Sequence, residues 1–259
     1  MLSLTSAEIT QFIGTFWWPF CRLMGAFVMM PFLGHVHIPA TVRILLAFMM
    51  AALLGPTLPP PPQVDPVSLA AVWLVTEQIL IGFMLALFLT LMIHVMTLLG
   101  AMMSMQMGLA MALVNDPGSG SSEPILGQMF LMYGTLLFLA LDGHLVAIGV
   151  VVDSFHLWPV GQGIFALPLM GLVERFAWMF GAAFMLALPA VLAMLVVNLT
   201  FGVLNRSAPS LNIFSLGFPM AMIMGLLCVL LSFSGLPTRY SDICLQALQS
   251  MYEFIGGTP

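Results

Sequence analysis

The chain has no lysine, and five arginines (Arg22, Arg43, Arg175, Arg206 and Arg239) are its whole stock of strong positive charge. Charged residues of both signs fill only 6% of its 259 positions, whereas a soluble domain carries about a quarter. A nucleic-acid-binding face is excluded by that shortage, and so is an ordinary water-soluble domain. Ten scattered carboxylates set the net charge at −5 without forming an acidic tail. Cysteine is scarce too: Cys21, Cys228 and Cys244 show neither metal-ligand spacing nor a disulfide framework. The first positive residue, Arg22, lies inside an apolar run, so the basic start of a cleavable signal peptide is missing. Enzyme signatures are absent as well. There is no H-E-x-x-H, no Walker A and no G-x-G-x-x-G. The run Gly118-Ser119-Gly120-Ser121 has neither the pattern nor the strand–turn–helix setting of a nucleophile elbow. The expectation is a protein that is not an enzyme and carries no metal or cofactor.

What fills the space instead is apolar: 61% of residues are hydrophobic and mean hydropathy is +1.13. This predicts an all-α membrane protein of about six hydrophobic helical segments, several of them kinked or interrupted. Thr5-Ser6-Ala7-Glu8 fits a capping box opening the first segment, which Pro19 and Pro31 should kink or break. The second, Arg43 to Leu54, is short for a bilayer. Pro59–Pro62 then predicts a stiff extended spacer. The third starts near Leu69, and no Asp, Glu, Lys or Arg occurs from Gln78 to Asn115. As one helix it would be roughly 60 Å long, about twice the hydrocarbon thickness. It must bend back or stand partly outside the bilayer. The fourth, Ile125 to Val152, is split at Asp142-Gly143-His144, and the fifth, Phe176 to Leu204, carries Pro189. The sixth, Ile213 to Leu236, has Gly217-Phe218-Pro219 near its start. Ser241 to Ile255 reads as an amphipathic helix with Leu245, Leu248, Tyr252 and Ile255 on one face. The arginines fall on both sides of such a six-span chain, so the positive-inside rule does not orient it.

Two textures meet in Gly100–Pro124. Its first half places small residues at every fourth position (Gly100, Ser104, Gly108, Ala112), a stripe along which another backbone can approach closely. Around the stripe sit Met102, Met103, Met105, Met107 and Met111, unbranched side chains able to repack. The second half, Asn115-Asp116-Pro117-Gly118 and the serines after it, breaks the helix into a polar loop. Either a deformable seal or a tight helix contact with an ordinary loop satisfies this pattern.

Three ionisable positions lie within apolar runs. Glu77 is either a proton site or the partner of Arg22 or Arg43. Asp142 and His144 either form a relay or include a cap for the helix restarting at Gly143. Together they support an alternative reading as a stand-alone proton-coupled transporter or channel. His94 reads as a satisfied buried histidine.

Several of these stretches, taken in order, resemble the FliR family of flagellar export-gate proteins and its SctT relatives in virulence secretion. The most specific block runs from Asn198 through Gly202, Asn205, Arg206, Pro209, Asn212 and Phe214 to Gly217-Phe218-Pro219. A second is Gln106-Met107-Gly108-Leu109, continuing to Asp116-Pro117-Gly118-Ser119. Trp18-Pro19, Ile38-Pro39 with Arg43, Gly143-His144-Leu145 and Asp153-Ser154-Phe155 are weaker but collinear. The chain departs from the family pattern at Ser210 and Met220. The resemblance implies helical hairpins, a FliP-like part up to about residue 175 followed by a FliQ-like part from about 176. It implies one copy among five FliP-like and four FliQ-like subunits, with FlhB-like and FlhA-like export components nearby. The site would be the bacterial inner membrane at the flagellar basal body, in contact with lipid, passing unfolded flagellar subunits. The implied pore plug comprises Met105, Gln106, Met107, Gly108, Leu109, Met111, Asn115, Asp116, Pro117 and Gly118. Arg206 is expected to fix the turn between the fifth and sixth segments through carbonyls or a carboxylate such as Glu174 or Asp153. The virulence paralogue is an alternative that the residues leave open.

Overall fold

Every regular element among the described residues is helical. The computed structural model describes residues 6–35, 38–65, 68–109, 124–164, 167–207 and 213–256; the side chains of 6–10, 205 and 213–216 are not described. In chain order the helices are α1 (Ser6–Met29), α2 (Ala40–Leu54), α3 (Leu69–Gln106), α4 (Ile125–Ala140), α5 (Gly143–Leu157), α6 (Leu169–Ser207), α7 (Ile213–Phe233) and α8 (Leu236–Phe254). Four stretches are long and apolar enough to cross a membrane: Gln11–Met29, Ala40–Thr57, Leu69–Gln106 and Leu169–Leu204. The number rises to six if the bent pairs α4–α5 and α7–α8 each count as one span. This is an all-α membrane protein, as the composition demands.

The breaks follow local chemistry. At Asp142 the backbone turns left-handed (φ 54°), a conformation that Asp tolerates better than most residues, and α5 restarts at Gly143. Its side chain makes no capping hydrogen bond, so it bends the chain without acting as a cap. Pro31 follows the end of α1. Pro19, by contrast, does not break α1, which is one helix through it. Pro19 offers no N–H to the Thr15 carbonyl four residues back, and that carbonyl lies against Gly55, where a Cβ would meet it at 2.6 Å. α3 is likewise unbroken over 38 residues, which at 1.5 Å per residue is about 57 Å. Of the two outcomes that its length allowed, the backward bend is not taken.

α8 begins at Leu236 and buries Tyr240, Cys244, Ala247, Met251 and Phe254. Of the four residues expected on one face, Leu248 and Ile255 are buried as well, Tyr252 is half-buried and Leu245 is exposed.

The chain forms two compact units, each discontinuous in sequence: Met1–Leu91 with Asp142–Arg175 and Leu245–Pro259, and Met92–Leu141 with Phe176–Cys244. In the first, α1 packs on α2 and crosses α3 through two glycines. A Cβ on Gly25 would strike the Ile79 backbone, and one on Gly82 would strike the Arg22 carbonyl and, at 2.8 Å, the Ala26 nitrogen. Each helix therefore uses a missing side chain to seat the other's backbone. In the second unit, Gly100 of α3 meets the backbone of Leu126 and Gly127 in α4 in the same way. Phe130 of α4 stacks on Phe233 of α7 with centroids 5.9 Å apart.

Candidate functional site

The last turn of α3 gathers the most specific residues of the sequence. Successive residues of a helix are about 100° apart, so Met105 and Met107 point to nearly opposite sides. Met105 is 66% exposed and Met107 is 1% exposed. The helix is then stopped by backbone geometry. Gly108 is left-handed (φ 76°), the Gly108 N–H donates to the Met105 carbonyl at 3.1 Å, and the Leu109 N–H donates to the Ser104 carbonyl at 3.0 Å. These two bonds make a Schellman cap with Gly108 as its left-handed residue, a position where glycine carries no Cβ penalty.

Two other helices of the same unit hold this cap. Asn198 of α6 donates its amide Nδ2 to the Gln106 carbonyl at 3.4 Å, meeting a carbonyl that the helix end leaves without an intrahelical donor. Phe218 of α7 covers Gly108, where a Cβ would lie 3.2 Å from the ring. Met107 enters a notch opposite Gly225 of α7; a Cβ there would collide with its Cγ and come within 2.7 Å of its Sδ. Met103, Gln106, Ala190, Val191 and Met194 close around this contact and leave no room for a water molecule; with Met107 and Gly225 they form its lining. Three of its lining residues are methionines that can change rotamer at little cost.

The stripe of small residues is therefore used piecewise. Gly100 takes a close backbone contact, Ser104 is buried, and Gly108 ends the helix. Ala112 and the plug residues Met111, Asn115, Asp116, Pro117 and Gly118 lie outside the described residues. So do Pro209 and Asn212, and the side chains of Asn205 and Phe214. Gly202 and Pro219 are exposed and Gly217 is half-buried. Arg206 is exposed in the last turn of α6, where its charge suits the carbonyl end of the helix; the turn that it is expected to fix lies outside the described residues. Asp153 accepts the Tyr252 hydroxyl at 2.8 Å.

The first unit holds a different polar cluster. Arg22 is 0% exposed in the middle of α1. Its Nε donates to Gln78 Oε1 at 2.8 Å, Nη1 to the Ser154 carbonyl at 2.8 Å and to Ser154 Oγ at 2.9 Å, and Nη2 to the Trp158 carbonyl at 3.0 Å. The guanidinium also stands 4.2 Å from the Phe155 ring centroid. Glu77, next to Gln78 on α3, is 2% exposed and its Oε1 has no hydrogen-bond partner. Arg43 turns elsewhere, to the His35 and Ile38 carbonyls. Asp142 is exposed, His144 packs edge-on against Phe32, and no hydrogen bond links either to Glu77 among the described residues. No group of His, Cys, Asp and Glu among the described residues could hold a metal.

Sequence reasoning alone missed Gly225, Gly25 and Gly82. Each is a glycine inside an apolar helix, where it costs about 1 kcal/mol relative to alanine; that cost was the available signal.

A family model described as "Bacterial export proteins, family 1" matches residues 13–247. The chain belongs to that family. Among curated relatives of the bacterial export family, the flagellar biosynthetic protein FliR of Escherichia coli K12 is 34% identical over 227 residues, 87% of each chain. FliR of Bacillus subtilis 168 is 28% identical over 249 residues, 92% of this chain and 94% of its own. FliR of Aquifex aeolicus is 31% identical over 224 residues, 86% of each. The FliR resemblance carried by the two motif blocks is thus a family membership, and the protein is a membrane-embedded member of the flagellar biosynthesis and export family.

Proposed function

We propose that this FliR-family chain is the single-copy subunit of a type III export gate in the bacterial inner membrane. It would join five FliP-like and four FliQ-like subunits, with FlhB-like and FlhA-like components alongside, and help both to form and to plug the channel for unfolded flagellar subunits. Such a gate must admit many sequences without leaking ions. Methionines conform to varied side chains without strong specific contacts, and an apolar ring that dewets blocks ions at rest. No bond is made or broken, so the chain acts without enzymatic chemistry or a cofactor.

The observation that carries the plug reading is the cap at Gly108. It ends the methionine-rich helix at a fixed point and leaves Met105 exposed. The exposed apolar faces of α6 (Phe180, Met185, Val196, Val203) and α7 (Leu230, Leu231) support the need for partner subunits or lipid. The unbroken α3, longer than a bilayer is thick, suits a chain held partly above the membrane inside a larger assembly. The test is native mass spectrometry of the detergent-solubilised complex purified through this chain. One copy with FliP-like and FliQ-like subunits is expected; a lone chain or a homo-oligomer would contradict the reading.

A further inference from the structure

Gln106-Met107-Gly108 and the block opening at Asn198 are 92 residues apart at their hydrogen bond, yet they meet in one joint. Three contacts act on three consecutive residues of α3. Asn198 takes the Gln106 carbonyl, Gly225 makes room for Met107, and Phe218 covers Gly108. Each constrains a different freedom of the helix end. The hydrogen bond fixes the direction of the last free carbonyl, the notch fixes rotation about the helix axis, and the ring limits how far Gly108 can lift.

From this joint we infer that Asn198, Phe218 and Gly225 are positioning residues that aim the chain leaving α3 and thereby keep the channel sealed. The inference rests on the plug reading above and adds to it the residues that hold the plug's root. Met107, placed in the plug by the family resemblance, is assigned to the root instead: it is the knob, and Met105 is the methionine left free to face what lies outside. Met103 and Met194, which line the contact, are flexible side chains that can change rotamer around the knob when the joint is strained.

The whole gate is expressed in cells, and small-molecule uptake is measured beside the amount of assembled complex. Gly225→Val fills the notch and should raise leak by a factor of roughly 5–30, the population change that an ordinary overpacking defect produces. Adding Met107→Ala in the same chain removes the colliding knob and should return leak towards wild type, a rescue that general destabilisation would not show. Asn198→Leu, which loses the donor, should leak, and Asn198→Gln, which keeps an amide, should leak less. If Gly225→Val fails to assemble, a Met107→Cys/Gly225→Cys pair, in a chain whose own cysteines are replaced by alanine, should form a disulfide in the resting complex. Deletion of 115–122 is run in parallel. Leak in the deletion but wild-type tightness in assembled Gly225→Val and Asn198→Leu overturns this inference and leaves the plug reading standing. Tightness in all of them overturns both. Absence of the disulfide in assembled complex overturns the joint whatever the leak.

Discussion

Arg22 and Gln78 are joined by a 2.8 Å hydrogen bond at the crossing where Gly25 and Gly82 bring α1 and α3 into backbone contact. The closeness of the helices and the buried charge explain each other. Only a backbone approach of this kind lets a guanidinium on α1 reach an amide on α3 and, with its remaining nitrogens, the end of α5. The arginine is satisfied by neutral acceptors: Gln78, Ser154 and the Trp158 carbonyl.

Arg22→Ala should destabilise the chain by about 3–5 kcal/mol, because it strips Gln78, Ser154 and the Trp158 carbonyl of a buried charged donor. Arg22→Lys should recover little. One ammonium cannot span acceptors on two helices in the fork geometry of a guanidinium. Thermal unfolding of the detergent-solubilised chain is the measurement, and a lysine variant as stable as wild type would contradict this.

Gly82→Ala should lower stability by about 1–3 kcal/mol, since its Cβ has no space against the α1 backbone and the helices must separate. Gly202→Ala is the control, having open space around it, and should be neutral or slightly stabilising in its helix. Protease resistance of the two variants in detergent would rank them.

Gly108→Ala should cost about 1–2 kcal/mol because φ is 76° there. Its cause differs from that at Gly82. Gly108→Asn, which tolerates the left-handed region, should lose less than Gly108→Ala despite being larger, so the order of the two melting temperatures checks the cap directly.

Arg206→Ala should leave the melting temperature of the isolated chain unchanged, since the side chain is exposed. A large loss would restore the buried role that its isolation in the sequence suggested.

What was legible in the sequence had local causes. Long uncharged runs mark the helices and Asp142-Gly143 marks the break between α4 and α5. The end of α3 was not legible: Gly108 reads in the sequence as one of the small residues of a helix continuing towards Asn115, whereas α3 ends at Gln106 and Gly108 is its left-handed cap. What was hidden depends on helices distant in the chain. Arg22 announces that a buried cation needs acceptors, but Gln78 lies 56 residues away and Ser154 lies 132 away. Nothing local tells that Met107 faces Gly225 while Met105 faces out. Pro19 does not break α1, which continues through it as one helix.

The central claim is that the chain beyond α3 seals a channel. Its most direct test is ion or small-molecule leak in cells carrying the whole gate with residues 115–122 deleted from this subunit, complex levels being measured in parallel. The account predicts normal assembly with a leak that wild type lacks. A gate that is fully assembled and as tight as wild type without those residues would contradict it.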